Sequence, residues 1–128
     1  MRMLLDTPIF LWMLEDSPKL SHKAREMMTA SGAECFVSAV SFWEIAIKAA
    51  LRRDDFRVDV ARLVKAAETA GLKFLSFSPG HAVRISKLAN HHADPFDRAL
   101  LAQAMTEPLT LLTGDATLAR YGDFVAVA

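Results

Sequence analysis

Apolar and polar positions along the chain fall into two alternating patterns. Short apolar runs read as strands, and longer stretches with apolar residues every three or four places read as helices. The first run, Met3-Leu4-Leu5, ends in Asp6 and predicts a buried strand over residues 2–6. Thr7 to about Leu14 predicts a short helix, with Pro8 at its start and Thr7 as the better cap. Ile9, Phe10, Leu11, Trp12, Met13 and Leu14 make that helix apolar on nearly every side, which calls for cover by the core or by a partner. Ser21 caps a second helix running to about Ala30, and Ser31-Gly32 ends it.

Glu34 to Ser38 predicts the second strand. Ser41 and Glu44 then stand at capping-box spacing, and Val40, Trp43, Ile47 and Leu51 form an apolar stripe on the helix that follows. That helix is expected to end in the charged turn Arg52-Arg53-Asp54-Asp55. Residues 58–70 carry Val60, Leu63, Val64 and Ala67 in helical phase, with Gly71 as the stop. A short strand is expected over Lys73 to Phe77, and a helix from Pro79 to about Ala89. Asp94-Pro95-Phe96-Asp97 opens another helix, over 95–107, with Asp94 as cap and Pro108 as terminator. Residues 109–113 form a strand. Asp115 caps a short helix ended by Gly122, and residues 124–127 form an edge strand. Strands alternating with helices predict an α/β fold, a three-layer α/β/α sandwich around a mostly parallel sheet. The chain has 128 residues, enough for one domain and one real core, so 1–128 is read as a single domain.

Four acids stand at or just past strand-to-helix junctions: Asp6, Glu44, Asp97 and Asp115, with Asp94 beside them. In open parallel sheets, ligands bind outside the carboxyl ends of the strands. One parallel sheet would therefore bring these acids to one edge. Each acid alone has a simpler explanation, because carboxylates at helix N-termini are worth roughly 0.3–2 kcal/mol as caps and dipole partners. Glu44 can also pair with Lys48 one turn on. The set exceeds what capping asks for, since Ser, Thr or Asn would cap as well. Crowded carboxylates repel and raise one another's pKa. A hard divalent cation among them removes that cost, and Mg²⁺, with Mn²⁺ as a substitute, suits oxygen donors and activates water for phosphoryl displacement.

Composition narrows the picture. Lys plus Arg and Asp plus Glu number 15 each, so there is no global basic field for nucleic acid and any contact must come from a local patch. Lys48, Arg52, Arg53 and Arg98 are candidates for such a patch, with a solvated charged face as the alternative. Cys35 is the single cysteine, which excludes an internal disulfide and suits a reducing, cytoplasmic setting. No apolar run is long enough to span a membrane, and Asp6 interrupts any signal-like core. His81, His91, His92 and Trp43 read first as structural or surface groups, with His92 near enough to the acids to touch a substrate.

Four segments carry a resemblance: Leu4-Leu5-Asp6-Thr7, Val37 to Lys48, His92 to Arg98 with its Ala102-Gln103-Ala104 tail, and Leu112-Thr113-Gly114-Asp115. In this order and spacing the chain resembles the PIN-domain family, specifically the VapC-like toxin ribonucleases of bacterial type II toxin–antitoxin pairs. The resemblance implies a PIN-like sandwich and a Mg²⁺-dependent endoribonuclease that cleaves RNA with a metal-activated water. Its metal-binding and catalytic acids would be Asp6, Glu44, Asp97 and Asp115, with Asp94 as an accompanying metal-site residue. Thr113 would supply a hydroxyl near the site, and Arg98 and His92 would meet substrate. The implied partners are a cognate antitoxin protein, an RNA substrate and a second copy in a homodimer, with no membrane. The apolar helix over residues 9–14 is the candidate antitoxin surface. Two positions depart from the pattern: Pro8 stands where His is common, and Gly114 where Arg or Lys is common. The alternatives are a catalytically silent PIN-like binding domain and a receiver-like signalling domain. The latter would need a Lys beyond the last acid, and none follows Lys87.

Overall fold

In the computed structural model, which describes residues 1–52 and 58–128, the five strands pair side by side and every pairing is parallel. The strands are β1 (Arg2–Leu5), β2 (Glu34–Ser38), β3 (Lys73–Leu75), β4 (Thr110–Thr113) and β5 (Val125–Val127). Their order is β3-β2-β1-β4-β5. Met3 lies opposite Cys35 on one side and Thr110 on the other, so β1 is the central strand. The chain builds outward from β1 through β2 and β3, then returns to add β4 and β5 on the other flank. This direction change makes the carboxyl ends of β1 and β4 the topological switch point, where such sheets leave a crevice. A receiver-like sheet has the order 2-1-3-4-5, so that alternative fails on topology.

The helices are α1 (Thr7–Glu15), α2 (His22–Thr29), α3 (Ala39–Arg52), α4 (Val60–Thr69), α5 (Pro79–Ser86) and α6 (Pro95–Thr106), with a 3-10 helix over Ala116–Tyr121. Strand alternation divides the apolar side chains between two cores. Met3, Leu5 and Leu112 face one core with Ile9, Phe10, Leu20, Ala24 and Ile45. Leu4 and Leu111 face the other with Leu100, Leu101, Ala104 and Leu118. Helices therefore cover both faces of the sheet, as the alternating pattern predicts. Among the described residues no helix is long and apolar enough to cross a membrane.

Most helix ends obey the local signals. Ser21, Asp94 and Asp115 each accept a backbone N–H from the helix they open. Gly71, at φ +83°, takes the left-handed turn after α4 that a side chain would resist. Four readings need correction. Asp6, not Thr7, caps α1, and its carboxylate accepts the Ile9 N–H at 2.9 Å. The helix after β2 starts at Ala39, so the Ser41–Glu44 capping box does not form. Ser38 instead accepts the Val40 N–H at 3.0 Å. The stripe on α3 is also misplaced: Ile45 is buried, whereas Trp43 is 59% exposed and Leu51 76% exposed. The helix from Pro79 stops at Ser86, and residues 87–94 are irregular. Of the charged turn expected after this α3 segment, Arg53, Asp54 and Asp55 lie outside the described residues.

Candidate active site

Asp6 stands at the switch point. Its N–H donates to the Leu112 carbonyl at 3.0 Å and extends the β1–β4 ladder by one residue. Its carboxylate is almost fully buried and is held on both oxygens. Oδ1 caps α1, and Oδ2 accepts the Thr113 hydroxyl hydrogen. Thr113 Oγ1 in turn accepts the Asp115 N–H at 3.0 Å. One buried hydroxyl thus couples the acid after β1 to the acid after β4, because parallel pairing ends both strands at the same level.

Glu44 enters from α3, also buried. Thr7 Oγ1 donates to Ser41 Oγ at 2.8 Å, fastening the first turn of α1 to α3 one turn ahead of Glu44. The Lys48 ammonium donates to Glu44 Oε2 at 2.6 Å. On α6 the two neighbouring acids divide their tasks. Asp94 Oδ1 accepts the N–H groups of Phe96 and Asp97, each at 2.9 Å, so it is the cap. Asp97 accepts from His92 Nε2 at 2.8 Å. Asp115 sits at the rim, its Oδ1 bonded by the Thr117 hydroxyl at 2.6 Å and the Thr117 N–H at 3.0 Å.

The ligand atoms of His92, Asp97 and Asp115 lie within 4.8 Å of one another. Asp6 and Glu44 do not join that triplet, but their charges reach it. Burial pushes the Asp6 carboxyl up to about 6, with the charges of Asp97 and Glu44 adding and the Thr113 and Ile9 hydrogen bonds opposing. Burial also raises Asp97, against the His92 hydrogen bond and with help from the Asp94 and Glu44 charges. Crowding does not raise all of the acids. The Thr117 hydroxyl bond holds Asp115 below the ordinary carboxylate range. Carboxylates from four places on the sheet edge, two of them buried, form a donor set that fits a hard divalent cation such as Mg²⁺ or Mn²⁺. The imidazole of His92 can orient Asp97 or donate directly to Mn²⁺.

Other residues singled out from the sequence sort clearly. Arg98 turns its guanidinium to the carbonyls of Ala89, His92 and Ile85 and to the Tyr121 hydroxyl, fastening the irregular segment before α6. His81 is buried, paired to Glu107 at 2.6 Å and bonded by the Ser78 N–H. The His91 ring stacks edge-on against Tyr121. Membership of His92 in the triplet and the Thr7–Ser41 bridge were missed. The first lies in an irregular segment with no periodicity to read, and the second joins residues 34 apart in sequence. Thr117 does have a signal, since it stands two residues after an Asp that opens a helix.

Acids gathered at the carboxyl edge of a 3-2-1-4-5 parallel sheet define an α/β protein with an acidic cluster at its topological switch point. The chain belongs to the PIN domain family, whose model matches residues 3–123. No curated protein matches it by sequence. Similar solved structures include VapBC2 from Rickettsia felis bound to a DNA fragment from its promoter, with TM-score 0.70 and 15% identity over 100% of this chain and 98% of that one. A toxin–antitoxin complex from Klebsiella pneumoniae gives TM-score 0.69 and 19% identity over 97% and 95%. FitAcB from Neisseria gonorrhoeae gives TM-score 0.63 and 18% identity over 98% and 95%.

Proposed function

We propose that the chain is a Mg²⁺-dependent endoribonuclease acting as the toxin of a toxin–antitoxin pair. The observation that carries this reading is the gathering of Asp6, Glu44, Asp97 and Asp115 at the switch point, with Asp6 buried and its carboxyl raised by that burial and by the Asp97 and Glu44 charges. Membership in the PIN domain family and the toxin–antitoxin neighbours support it.

In this reading Asp6, Glu44, Asp97 and Asp115 hold the cation directly or through water. When bound, it would supply charge stabilisation at a phosphoryl oxygen and a lowered pKa for an attacking water. The remaining chemistry belongs to the chain. The Thr113 hydroxyl holds Asp6 by donating to its Oδ2, and the same oxygen accepts the Asp115 N–H and fixes the fourth acid. His92 orients Asp97. Asp94 holds the first turn of α6 so that Asp97 faces the site. Cleavage of RNA is expected to require Mg²⁺ or Mn²⁺ and to stop with EDTA, because the donors are oxygen-rich and thiolate-free. Undiminished cleavage in chelator by a pure preparation would remove the metal mechanism.

The partners in this reading are an RNA substrate, an antitoxin protein and a second copy. On α1, Ile9 and Phe10 belong to the core while Leu11, Trp12, Met13 and Leu14 stay only half-buried. Four large apolar side chains left half-buried around this helix support docking of an amphipathic antitoxin segment there. Hydrogen exchange of the purified complex is expected to show slowed exchange over residues 9–14. An unchanged rate there would place the antitoxin elsewhere. Self-association is supported by a different face, where Trp43, Phe77 and Ile85 border an apolar cavity of about 620 Å³.

A further inference from the structure

The proposed reaction needs a cation for the substrate phosphate, and Gly114, beside Asp115, offers no side chain for that task. Of the four basic residues considered for a phosphate patch, two have described side chains: Arg98 and Lys48. Arg98 is spent. Its guanidinium bonds three backbone carbonyls and the Tyr121 hydroxyl, and moving it would release the segment before α6. Lys48 is placed differently. Its side chain is 59% exposed, yet its ammonium rests on the buried Glu44 carboxylate at 2.6 Å. An ammonium carries three N–H donors, and among the described residues Glu44 is the acceptor for one of them. Among the described residues two donors remain without an acceptor, on a side chain that is more than half exposed beside the acid cluster.

We propose that Lys48 is a substrate-binding residue that contacts an RNA phosphate at the mouth of the site, while also serving as the resident counter-charge of Glu44. This rests on the ribonuclease reading and adds a recognition residue to it. The physical logic is exchange of partners. In the metal-free site the ammonium neutralises Glu44. Once Glu44 shares its charge with a divalent cation, the ammonium has less to hold it, and the phosphodiester of an incoming strand supplies the missing anion. A lysine suits this double use, because its ammonium carries three rotatable donors on a flexible four-carbon stem. The position one helical turn beyond Glu44 keeps the ammonium within reach of both.

The test is the salt dependence of RNA binding. An Asp115→Asn background prevents cleavage, and the probe is a fluorescein-labelled single-stranded RNA of mixed sequence, titrated with Mg²⁺ present at several salt concentrations. Adding Lys48→Gln is expected to weaken binding roughly tenfold and to lower the slope of log affinity against log salt by about 0.7, the loss of one phosphate contact on a single strand. Lys48→Arg is expected to restore the slope. In the otherwise native chain, Lys48→Gln should raise KM more than it lowers kcat and give a Mg²⁺ increment in Tm at least as large as that of the unmutated chain, because the counter-charge that competes with the cation for Glu44 is gone. An unchanged slope, or a lost Mg²⁺ increment with unchanged RNA affinity, would reduce Lys48 to a helix partner of Glu44 and overturn the proposal. Failure of the unmutated chain to bind or cut any RNA would overturn the ribonuclease reading itself, and this inference with it.

Discussion

Asp6→Asn is expected to melt higher than the unmutated chain in metal-free buffer above about pH 7, and to cleave no RNA. Burial raises the Asp6 carboxyl from 3.8 to about 6. Below about pH 4 both the folded and unfolded chains hold this proton, so burial carries no ionisation cost. As pH rises, the unfolded chain ionises first, and stability falls until the folded carboxyl also ionises near 6. Above that the loss is constant at ~3 kcal/mol, a large share of a domain's net stability. Asn removes the charge and keeps the cap, since its amide oxygen can still accept the Ile9 N–H. It disturbs the Thr113 hydroxyl bond, at a cost of ~1 kcal/mol. The net gain of ~1–2 kcal/mol raises Tm by roughly 3–8 °C for a chain of this size. The advantage should vanish near pH 4 and shrink when Mg²⁺ is added to the unmutated chain. Melting curves of both chains from about pH 4 to about pH 8, with and without Mg²⁺, decide the matter. A variant that melts lower at neutral pH would mean that Asp6 is only a cap.

What could be read in the sequence depended on how local each signal was. The caps at Ser21, Asp94 and Asp115 rest on one side chain and the next three backbone groups, so they were legible. The convergence of acids followed from one non-local assumption, a single parallel sheet, which alternation of strands and helices made compelling. The register of α3 was not legible. Its sequence is apolar on too many sides, with Ile45, Ala46 and Ile47 in succession, for a stripe to select the buried face. Tertiary contacts decided it by burying Ser41 and Glu44 and leaving Trp43 outside. The same helix hid the Ser38 cap behind a plausible Ser41–Glu44 box, because Ser38 also reads as the last residue of a strand. Its hydroxyl serves both, accepting from Val40 and donating to Gln103. That Asp6 rather than Thr7 caps α1 follows from the same economy, since Thr7 is drawn across to Ser41.

The neighbouring acids of α6 give the sharpest separation of scaffold from site. Asp94 and Asp97 both qualify as first-turn carboxylates, yet Asp94 takes both backbone N–H groups and Asp97 none. Asp94→Ala is therefore expected to lower stability by ~1–2 kcal/mol and to keep most of the Tm increment from Mg²⁺. Asp97→Asn is expected to do the reverse. It gives up ~0.3–1 kcal/mol of dipole attraction, but it removes a charge whose burial, together with the Asp94 and Glu44 charges, holds the Asp97 carboxyl above its ordinary range. The sign is the same as for Asp6: the destabilisation is absent at low pH, grows as pH rises through the raised folded value, and is relieved by a neutral side chain. Metal-free Asp97→Asn should then melt no lower than the unmutated chain near pH 7, lose the Mg²⁺ increment, and lose more than the ~10–100-fold in cleavage that removal of an outer-shell partner costs. Melting series of the two variants with and without Mg²⁺, alongside RNA cleavage rates, read all of these at once. If Asp94→Ala loses the Mg²⁺ increment and Asp97→Asn keeps it, the cap is the ligand and the assignment of these two acids is inverted.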